Sequence, residues 1–179
     1  MPGYGLLAAV DLGSNSFRLL IGRIEPSALG DLVLPLDSIK QTVRLAAGLR
    51  RDGTLEAGAR NRGLLALAMF GERLRSFAPD AVRAVATNTF RVARNARQFV
   101  TTAEAALGFP IEIISGLEEA RLIYLGAAHA LPADGQPRLV VDIGGGSTEC
   151  VIGTDMAPSV LESAAVGCIS LSTLHFAGG

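Results

Sequence analysis

The order of apolar and polar positions along the chain predicts strands that alternate with helices. Apolar, β-prone runs at residues 6–10 and 17–24 predict two strands joined by a tight loop. Extended stretches near residues 32–36 and 41–45 predict a third and a fourth strand, and Pro35 indicates an edge or irregular strand. Together these segments predict a small mixed or antiparallel sheet.

Helical periodicity begins after this sheet. Leu67 and Leu74 belong to a run of apolar residues at helical spacing, for which Thr54 is the expected N-cap and Pro79 the end. A second helical region is predicted over residues 91–107. We expect it to be broken or bent near Asn95 and to close with Gly108.

Strands and helices continue to alternate in the rest of the chain. Strands are predicted at residues 82–86, 111–114 and 139–142, and Ser115 begins a capping-box sequence for a helix that runs to about residue 130. Residues 150–152 resume an extended pattern. This alternation predicts an α/β fold.

The most informative motif is an internal repeat. VDLGSNSFRLLIG (residues 10–22) and VDIGGGSTECVIG (residues 141–153) are identical at six of thirteen positions. Each copy is an apolar strand that ends in aspartate, then a loop of small residues, then a second strand. Small residues let backbone N–H groups converge on phosphate oxygens, and hydroxyls add donors. The predicted phosphate-binding residues are Gly13, Ser14, Asn15 and Ser16 in the first loop and Gly144, Gly145, Gly146, Ser147 and Thr148 in the second.

Two other interpretations compete with phosphate binding. Nucleotide loops of the P-loop or dinucleotide type lead from a strand into a helix, and the P-loop also needs a Gly-Lys-Ser/Thr sequence that the chain lacks. The other alternative is a glycine-rich hairpin with no ligand. Two copies that share the preceding aspartate favour a functional role. Asp11 and Asp142, at the strand ends, can then hold a hydrated Mg²⁺ through one or two carboxylates.

Composition limits the class of protein. Sixteen Lys and Arg against seventeen Asp and Glu give a net charge of −1, which does not favour a general nucleic-acid binder. The two cysteines lack metal-ligand spacing, and no window approaches a membrane span. We therefore expect a cytoplasmic protein without nucleic-acid or membrane partners.

Five ordered strings resemble those of the exopolyphosphatase and guanosine-pentaphosphate phosphatase family. They are DLGSNSF (11–17), ATNTFRVARN (86–95), SGLEEARLIYLG (115–126), DIGGGSTE (142–149) and GCISL (167–171). The resemblance implies a ribonuclease-H-like domain of the actin and sugar-kinase type over residues 1–126. Residues 127–179 would be the incomplete beginning of a second such domain, so we expect a partial chain.

The resemblance also implies roles for individual side chains. Glu119 matches the proposed general base, which would orient and deprotonate the attacking water. Its alternative role is to complement the dipole of its helix. Asp142 and Glu149 correspond to metal-associated and water-associated acidic positions, and Asn88 lies in a string of the same resemblance, where it is expected to bind phosphate.

Two arginines are further candidates for contact with phosphate. Arg91 follows the polar end of the strand at residues 82–86, where a guanidinium can grip phosphate oxygens in a forked geometry. We expect it to act in catalysis together with Glu119 and Glu149. Arg18 is a weaker candidate, for which a surface salt bridge is an equal alternative.

The expected function is hydrolysis of a terminal phosphoanhydride, with Mg²⁺ as cofactor and polyphosphate or guanosine pentaphosphate as substrate. A homodimer through a missing C-terminal part is a further expectation. The alternatives are an ATP-binding phosphotransferase or ATPase of the same superfamily, and a sensor that only binds phosphate-rich ligands. Lys40 is the only lysine, so a basic path for a long polymer is expected from residues outside this chain.

Overall fold

A computed structural model describes residues 5–26 and 31–176. Two α/β units follow one another along the chain, and a short 3₁₀ turn lies at Ala46–Gly48. The elements are β1 (Leu6–Leu12), β2 (Ser16–Glu25), β3 (Leu32–Thr42), α1 (Ala57–Phe77), β4 (Ala81–Ala86), α2 (Asn88–Val92), α3 (Ala96–Leu107), β5 (Ile111–Ile113), α4 (Gly116–His129), β6 (Pro137–Ile143), β7 (Thr148–Thr154), β8 (Ala157–Ala164) and α5 (Cys168–His175).

The first unit contains a five-stranded sheet in the order β3-β2-β1-β4-β5. The pairs β1–β2 and β2–β3 are antiparallel, whereas β1–β4 and β4–β5 are parallel. The prediction left a mixed and an antiparallel sheet open; the first three strands pair antiparallel, and β4 and β5 make the whole sheet mixed. The prediction of separate strands at residues 32–36 and 41–45 is wrong, because β3 is continuous. Pro35 is tolerated because β3 is an edge strand and because the register shifts where β3 passes Gly22.

The core of the first unit lies between this sheet and α1 and α3. Phe17 of β2, Phe70 of α1 and Phe99 of α3 are fully buried, and Phe90 stacks on Phe99 with 5.5 Å between ring centroids. Burial of these large side chains packs the sheet against α1 and α3. The strand ends that carry the first glycine loop are therefore rigidly placed.

Local signals explain where the helices begin and end. The break predicted near Asn95 is confirmed, because its side-chain amide bonds the Leu55 backbone at 2.9 and 3.0 Å instead of lying inside a helix. Gly108 ends α3 at φ 85°, as predicted. The prediction that Thr54 caps α1 is wrong. Its hydroxyl donates to the Asp52 carboxylate at 2.6 Å, and α1 begins after Glu56.

The second unit is the antiparallel sheet β6-β7-β8 with α4 on one face. Ala120, Tyr124 and Ala128 of α4 pack against Val151 of β7. The boundary predicted after residue 126 falls inside α4. The strand β8 and the helix α5 had no prediction.

Only one of the two interactions of the predicted capping box forms at the start of α4. Ser115 is the N-cap as predicted, since its Oγ accepts a hydrogen bond from the Glu118 N–H at 3.1 Å. The Glu118 carboxylate does not close the predicted capping box. It pairs instead with Arg121 at 2.7 and 2.8 Å. None of the helices in the described part of the chain is long and apolar enough to cross a membrane.

Candidate active site

The two glycine loops and α4 enclose an open cavity of about 490 Å³. This volume is within the range of small-molecule sites in proteins. Polar and small residues dominate its wall. The lining residues are Asp11, Gly13, Ser14, Asn15, Ser16, Arg18, Lys40, Thr87, Glu119, Asp142, Gly144, Gly145, Gly146 and Ser147.

The sequence repeat is also a repeat in geometry. A Cβ added to Gly13 would lie 3.0 Å from the Ser16 carbonyl oxygen, and a Cβ added to Gly144 would lie 3.0 Å from the Ser147 carbonyl oxygen. In the second loop the Gly144 N–H also donates to the Ser147 carbonyl at 2.9 Å. Both loops thus make the same tight turn, in which a larger first residue would crowd the backbone.

The loops face each other at van der Waals distance. A Cβ on Gly145 would lie 3.5 Å from the Cβ of Ser14, and a Cβ on Gly146 would lie 3.1 Å from the Ser14 Oγ. The Ser14 Oγ is buried and accepts a hydrogen bond from the Thr89 hydroxyl at 2.8 Å. A side chain on Gly146 would collide with the Asn88 amide and crowd the Ser14 Oγ, whereas one on Gly145 would crowd Ile169 Cδ1 at 3.0 Å. The second loop therefore has little room for side chains at residues 145 and 146.

Several backbone donors of the loops are unpaired. Within residues 5–26 and 31–176, no hydrogen-bond acceptor serves the backbone N–H groups of Ser14, Asn15, Gly145, Gly146 and Ser147. All five residues line the cavity. Successive unpaired N–H groups in a turn can form an anion-binding concavity. The cavity wall can thus hold phosphate oxygens.

Glu119 enters the cavity from the first turn of α4. Its carboxylate is mostly buried and accepts a hydrogen bond from Arg91 Nη1 at 2.8 Å. Burial raises the pKa of Glu119 above its ordinary value, although the Arg91 hydrogen bond opposes this, and the negative charges of Glu149 and Asp11 raise it further. A carboxylate with a raised pKa beside a phosphate site suits a general base.

Arg91 and Asn88 stand behind the cavity rather than in its wall. Arg91 Nη1 bonds the Ile114 carbonyl at 3.1 Å in addition to Glu119, so it holds the Glu119 carboxylate. The Asn88 amide nitrogen lies against the Cα of Gly146, where it would collide with any added Cβ. Both residues also line a neighbouring cavity of about 390 Å³.

The other two acidic and polar candidates of the second loop bond to neighbouring segments of the chain. Glu149 is only 1% exposed and accepts a hydrogen bond from the Ser163 hydroxyl at 2.8 Å. The Thr148 hydroxyl donates to the Val166 carbonyl at 2.6 Å, so it serves the chain itself. Neither residue is part of the cavity lining.

The candidate metal ligands Asp11 and Asp142 both line the cavity. The cavity walls desolvate Asp11 and raise its pKa, the charge of Arg18 opposes this, and the charge of Asp142 adds to it. The two carboxylates therefore repel each other across the site. Hard oxygen donors of like charge fit Mg²⁺, which protein sites hold through one or two carboxylates together with substrate phosphates.

A site made of protein ligands alone is not present in the described ranges. Within them, no group of three or more His, Cys, Asp and Glu side chains could hold a metal ion.

The cavity also contains two cations that sequence reasoning undervalued or missed. Arg18 and Lys40 are cross-strand neighbours on β2 and β3, and both line the cavity. Arg18 makes no ion pair within residues 5–26 and 31–176, so the surface salt bridge considered for it is absent there. The pairing register of β2 and β3 would have revealed Lys40, but the sequence suggested two short strands in place of β3.

A match to a protein-family model shows which family the chain belongs to. The model of the Ppx/GppA phosphatase family matches residues 24–179. The chain belongs to the Ppx/GppA phosphatase family. The family resemblance stated from the sequence strings is thereby confirmed.

Solved Ppx/GppA structures resemble the chain closely. A protein described as exopolyphosphatase-like superposes with a TM-score of 0.85 at 33% identity over 96% of this chain and 53% of its own. An exopolyphosphatase from Cytophaga hutchinsonii gives a TM-score of 0.84 at 28% identity, over 95% of this chain and 54% of its own. The Aquifex aeolicus PPX-GPPA enzyme gives a TM-score of 0.81 at 29% identity, over 94% of this chain and 55% of its own. The chain therefore spans about half the length of these relatives.

The fold class follows from the same comparisons and from the sheet order. The Ppx/GppA chain is α/β, of the actin and sugar-kinase type, with a five-stranded mixed sheet followed by a three-stranded antiparallel sheet. A chain of the PilM–PilN type IV pilus biogenesis complex gives a TM-score of 0.56 at 13% identity, which shows a shared fold and no more.

Proposed function

We propose that the protein to which this chain belongs is a Mg²⁺-dependent phosphohydrolase that releases the terminal phosphate of a phosphoanhydride chain. One observation supports this above all others. Glu119 lines the same cavity as the unpaired N–H groups of two glycine loops. Hydrolysis of a phosphoanhydride needs neutralised phosphate oxygens and an aligned water, and this arrangement supplies donors and a base together.

The reaction assigns one role to each group. The loop N–H groups hold oxygens of the terminal phosphate, and Glu119 accepts a proton from a water whose oxygen attacks the terminal phosphorus. The anhydride P–O bond breaks, and its bridging oxygen leaves with the shortened chain. The products are inorganic phosphate and a chain with one phosphate fewer. Arg91 keeps the Glu119 carboxylate in place through its 2.8 Å hydrogen bond.

The proposed cofactor would be held by Asp11, which precedes the first loop, and Asp142, which precedes the second; both line the cavity. When bound, Mg²⁺ would neutralise charge on phosphate oxygens during the reaction. The buried carboxylate of Glu149 has a different task. Its position behind the second loop, bonded to Ser163, supports a role in orienting this loop and the charges around Glu119.

Inorganic polyphosphate is the favoured substrate and guanosine pentaphosphate the second. Both present a terminal phosphoanhydride, so the base and the loops cannot select between them. The likeness to an exopolyphosphatase supports the first choice. Arg18 and Lys40 in the cavity wall add two cations for further phosphates, beyond the donors of the loops.

The test is a parallel assay of phosphate release by the full-length protein from long polyphosphate, guanosine pentaphosphate and ATP. We expect release from one or both of the first two substrates at rates well above that from ATP. Phosphoryl transfer from ATP to an acceptor, without release from the other two, would favour a phosphotransferase. Tight binding without release from any substrate would favour a sensor.

The polymer preference is tested in the same assay at low and moderate salt. Binding of a long polyanion weakens with salt, because the ions screen the basic groups of the protein along which the polymer lies. We therefore expect kcat/KM for polyphosphate to exceed that for guanosine pentaphosphate and to fall with salt. A salt-insensitive preference for the nucleotide would overturn the choice of substrate.

A further inference from the structure

The second glycine loop is held by the first turn of α5. The Cys168 N–H donates to the Gly144 carbonyl at 2.9 Å, and the Ile169 and Ser170 N–H groups donate to the Gly145 carbonyl at 2.9 and 3.2 Å. The first N–H groups of a helix have no partner inside the helix. Here they bind the loop carbonyls, and the unpaired N–H groups of Gly145 and Gly146 remain available to the cavity.

Close contact between the loop and α5 requires glycine at the N-cap. A Cβ on Gly167 would lie 2.5 Å from the Gly145 carbonyl carbon and 2.5 Å from the Gly146 nitrogen. Both of these are backbone atoms, which cannot move aside as the end of a flexible side chain can. Gly167 is buried in this contact.

Ser170 fixes the turn that presents these donors. Its Oγ accepts a hydrogen bond from the Gly167 N–H at 2.9 Å and donates to the Gly167 carbonyl at 3.0 Å. The Ser170 hydroxyl thus closes the first turn of α5 from the side. A substitution at residue 170 that keeps the hydroxyl should keep this turn, and one that removes it should loosen the turn.

We propose that Gly167 and Ser170 are positioning residues for phosphate binding by the second loop. They touch neither substrate nor the reacting atoms. They set the loop through the three N–H groups of α5, so that the N–H groups of Gly145 and Gly146 meet a phosphate with little reorganisation. This inference rests on the proposed function for the identity of the ligand, and it adds residues to which that function assigned no role.

The expected effect is mainly on substrate binding. The loop N–H groups would bond the phosphate before and during the reaction, so loosening the loop raises KM more than it lowers kcat. For Ser170→Ala we expect KM to rise by roughly 3- to 10-fold, as for the loss of about one hydrogen bond. A purely structural role would reduce the amount of folded protein, which lowers apparent kcat and leaves KM unchanged.

The experiment compares four variants of the full-length protein in phosphate release and in calorimetric binding of inorganic tripolyphosphate. Ser170→Thr keeps the hydroxyl and should restore both KM and Kd to within about 2-fold of wild type. Ser172→Ala is the matched control, because Ser172 is exposed on the same helix and its side chain has no partner in the described residues. Gly167→Ala should weaken binding more than Ser170→Ala.

The outcomes separate this inference from the proposed function. If Ser170→Ala weakens tripolyphosphate binding but the wild-type protein releases no phosphate, the positioning role stands and the hydrolase proposal fails. If the wild type is active and Ser170→Ala matches Ser172→Ala in KM and Kd, the positioning role is overturned. Absence of tripolyphosphate binding to the wild type would overturn it as well.

Discussion

The two glycine loops make the same turn in two different settings. The first belongs to a five-stranded sheet whose core buries Phe17 directly after the loop. The second belongs to a three-stranded sheet with one covered face, and on its other face Leu139 and Ile143 are 66% and 69% exposed. The loop geometry therefore does not depend on the size of the sheet that carries it.

Each loop is stabilised instead by backbone donors from the segment that follows the third strand of its unit, β3 in the first and β8 in the second. Val43 and Arg44 donate N–H groups to the Asn15 carbonyl at 3.0 and 2.8 Å, and Ala46 donates to the Ser14 carbonyl at 2.9 Å. Arg44 adopts φ 52° in that segment, a left-handed conformation that is unusual for arginine. The second loop receives its donors from α5 in the same way.

The difference between the loops lies in side chains. The first loop keeps Ser14 and Asn15, and the Ser14 hydroxyl bonds Thr89 behind it. The second has glycines at the corresponding points, where an added Cβ would crowd Ile169 at residue 145 and collide with Asn88 at residue 146. The two copies of the motif therefore differ where the loops meet: the first loop has side chains there, and the second has glycines.

The largest effect should follow removal of the metal, which also tests whether the loops are equivalent. If Asp11 and Asp142 hold one Mg²⁺ between them, a chelator should abolish phosphate release by the full-length protein. Asp11→Asn and Asp142→Asn should each raise the Mg²⁺ concentration for half-maximal activity, by roughly 10-fold, and to similar extents. Asp52→Asn, in a surface turn, is the control.

Full activity in excess chelator would remove the metal from the account. A change in the Mg²⁺ requirement for only one of the two aspartates would break the equivalence of the loops.

The next effect concerns the proposed base Glu119, which α4 places in the cavity between the two loops. Burial raises the pKa of Glu119, and Arg91 opposes this by stabilising the carboxylate. The base must be deprotonated, so the acid limb of kcat/KM should lie above the pH expected for an ordinary glutamate. Arg91→Ala removes a group that lowers the pKa, so the limb should move to still higher pH.

The measurement is the pH profile of kcat/KM for the wild type, Arg91→Ala and Arg97→Ala. Arg97 is exposed on α3 and has no ion pair in the described part of the chain, so its substitution should leave the profile unchanged. An acid limb that moves to lower pH in Arg91→Ala would contradict this arrangement.

The smallest effects should distinguish the serines of the two loops. Ser147 lines the cavity and its hydroxyl has no partner in the described residues, so Ser147→Ala should raise KM by roughly 3-fold with little change in stability. Ser14→Ala leaves the buried Thr89 hydroxyl without its acceptor and should cost about 1–3 kcal/mol of unfolding free energy. Calorimetry and steady-state kinetics would measure both, and equal behaviour of the two variants would contradict the difference described here.

The sequence predicted the repeated loops, a mixed or antiparallel sheet and the helix that begins at Ser115, because turns, apolar periodicity and caps are local signals. It did not predict the continuous β3, since Pro35 resembles a strand end unless the strand lies at a sheet edge. Lys40 was missed for the same reason. The role of α5 depends on contacts between residues more than twenty positions apart, which no local pattern reveals.

The placement of the candidate site residues also depends on contacts that are distant along the chain. Glu119 and Asp142 line one cavity because α4 and β6 meet there, and the resemblance had already named both. The positions of Glu149 and Thr148 depend on the pleat of β7 and on partners in and beyond β8. The alternation of a strand fixes which residues share a face, but the partner elements decide which face meets the cavity.

The central claim is that Glu119 acts as the base in a cleft made by both loops, and its neighbour Glu118 offers a matched control. Glu118 lies in the same helical turn but pairs with Arg121 outside the cavity. The decisive measurement is phosphate release and tripolyphosphate binding by Glu119→Gln and Glu118→Gln in the full-length protein. We predict that Glu119→Gln lowers kcat by roughly 10²- to 10⁴-fold with binding retained, and that Glu118→Gln stays within about 2-fold of wild type. Wild-type turnover in Glu119→Gln, or equal losses in the two variants, would contradict the account.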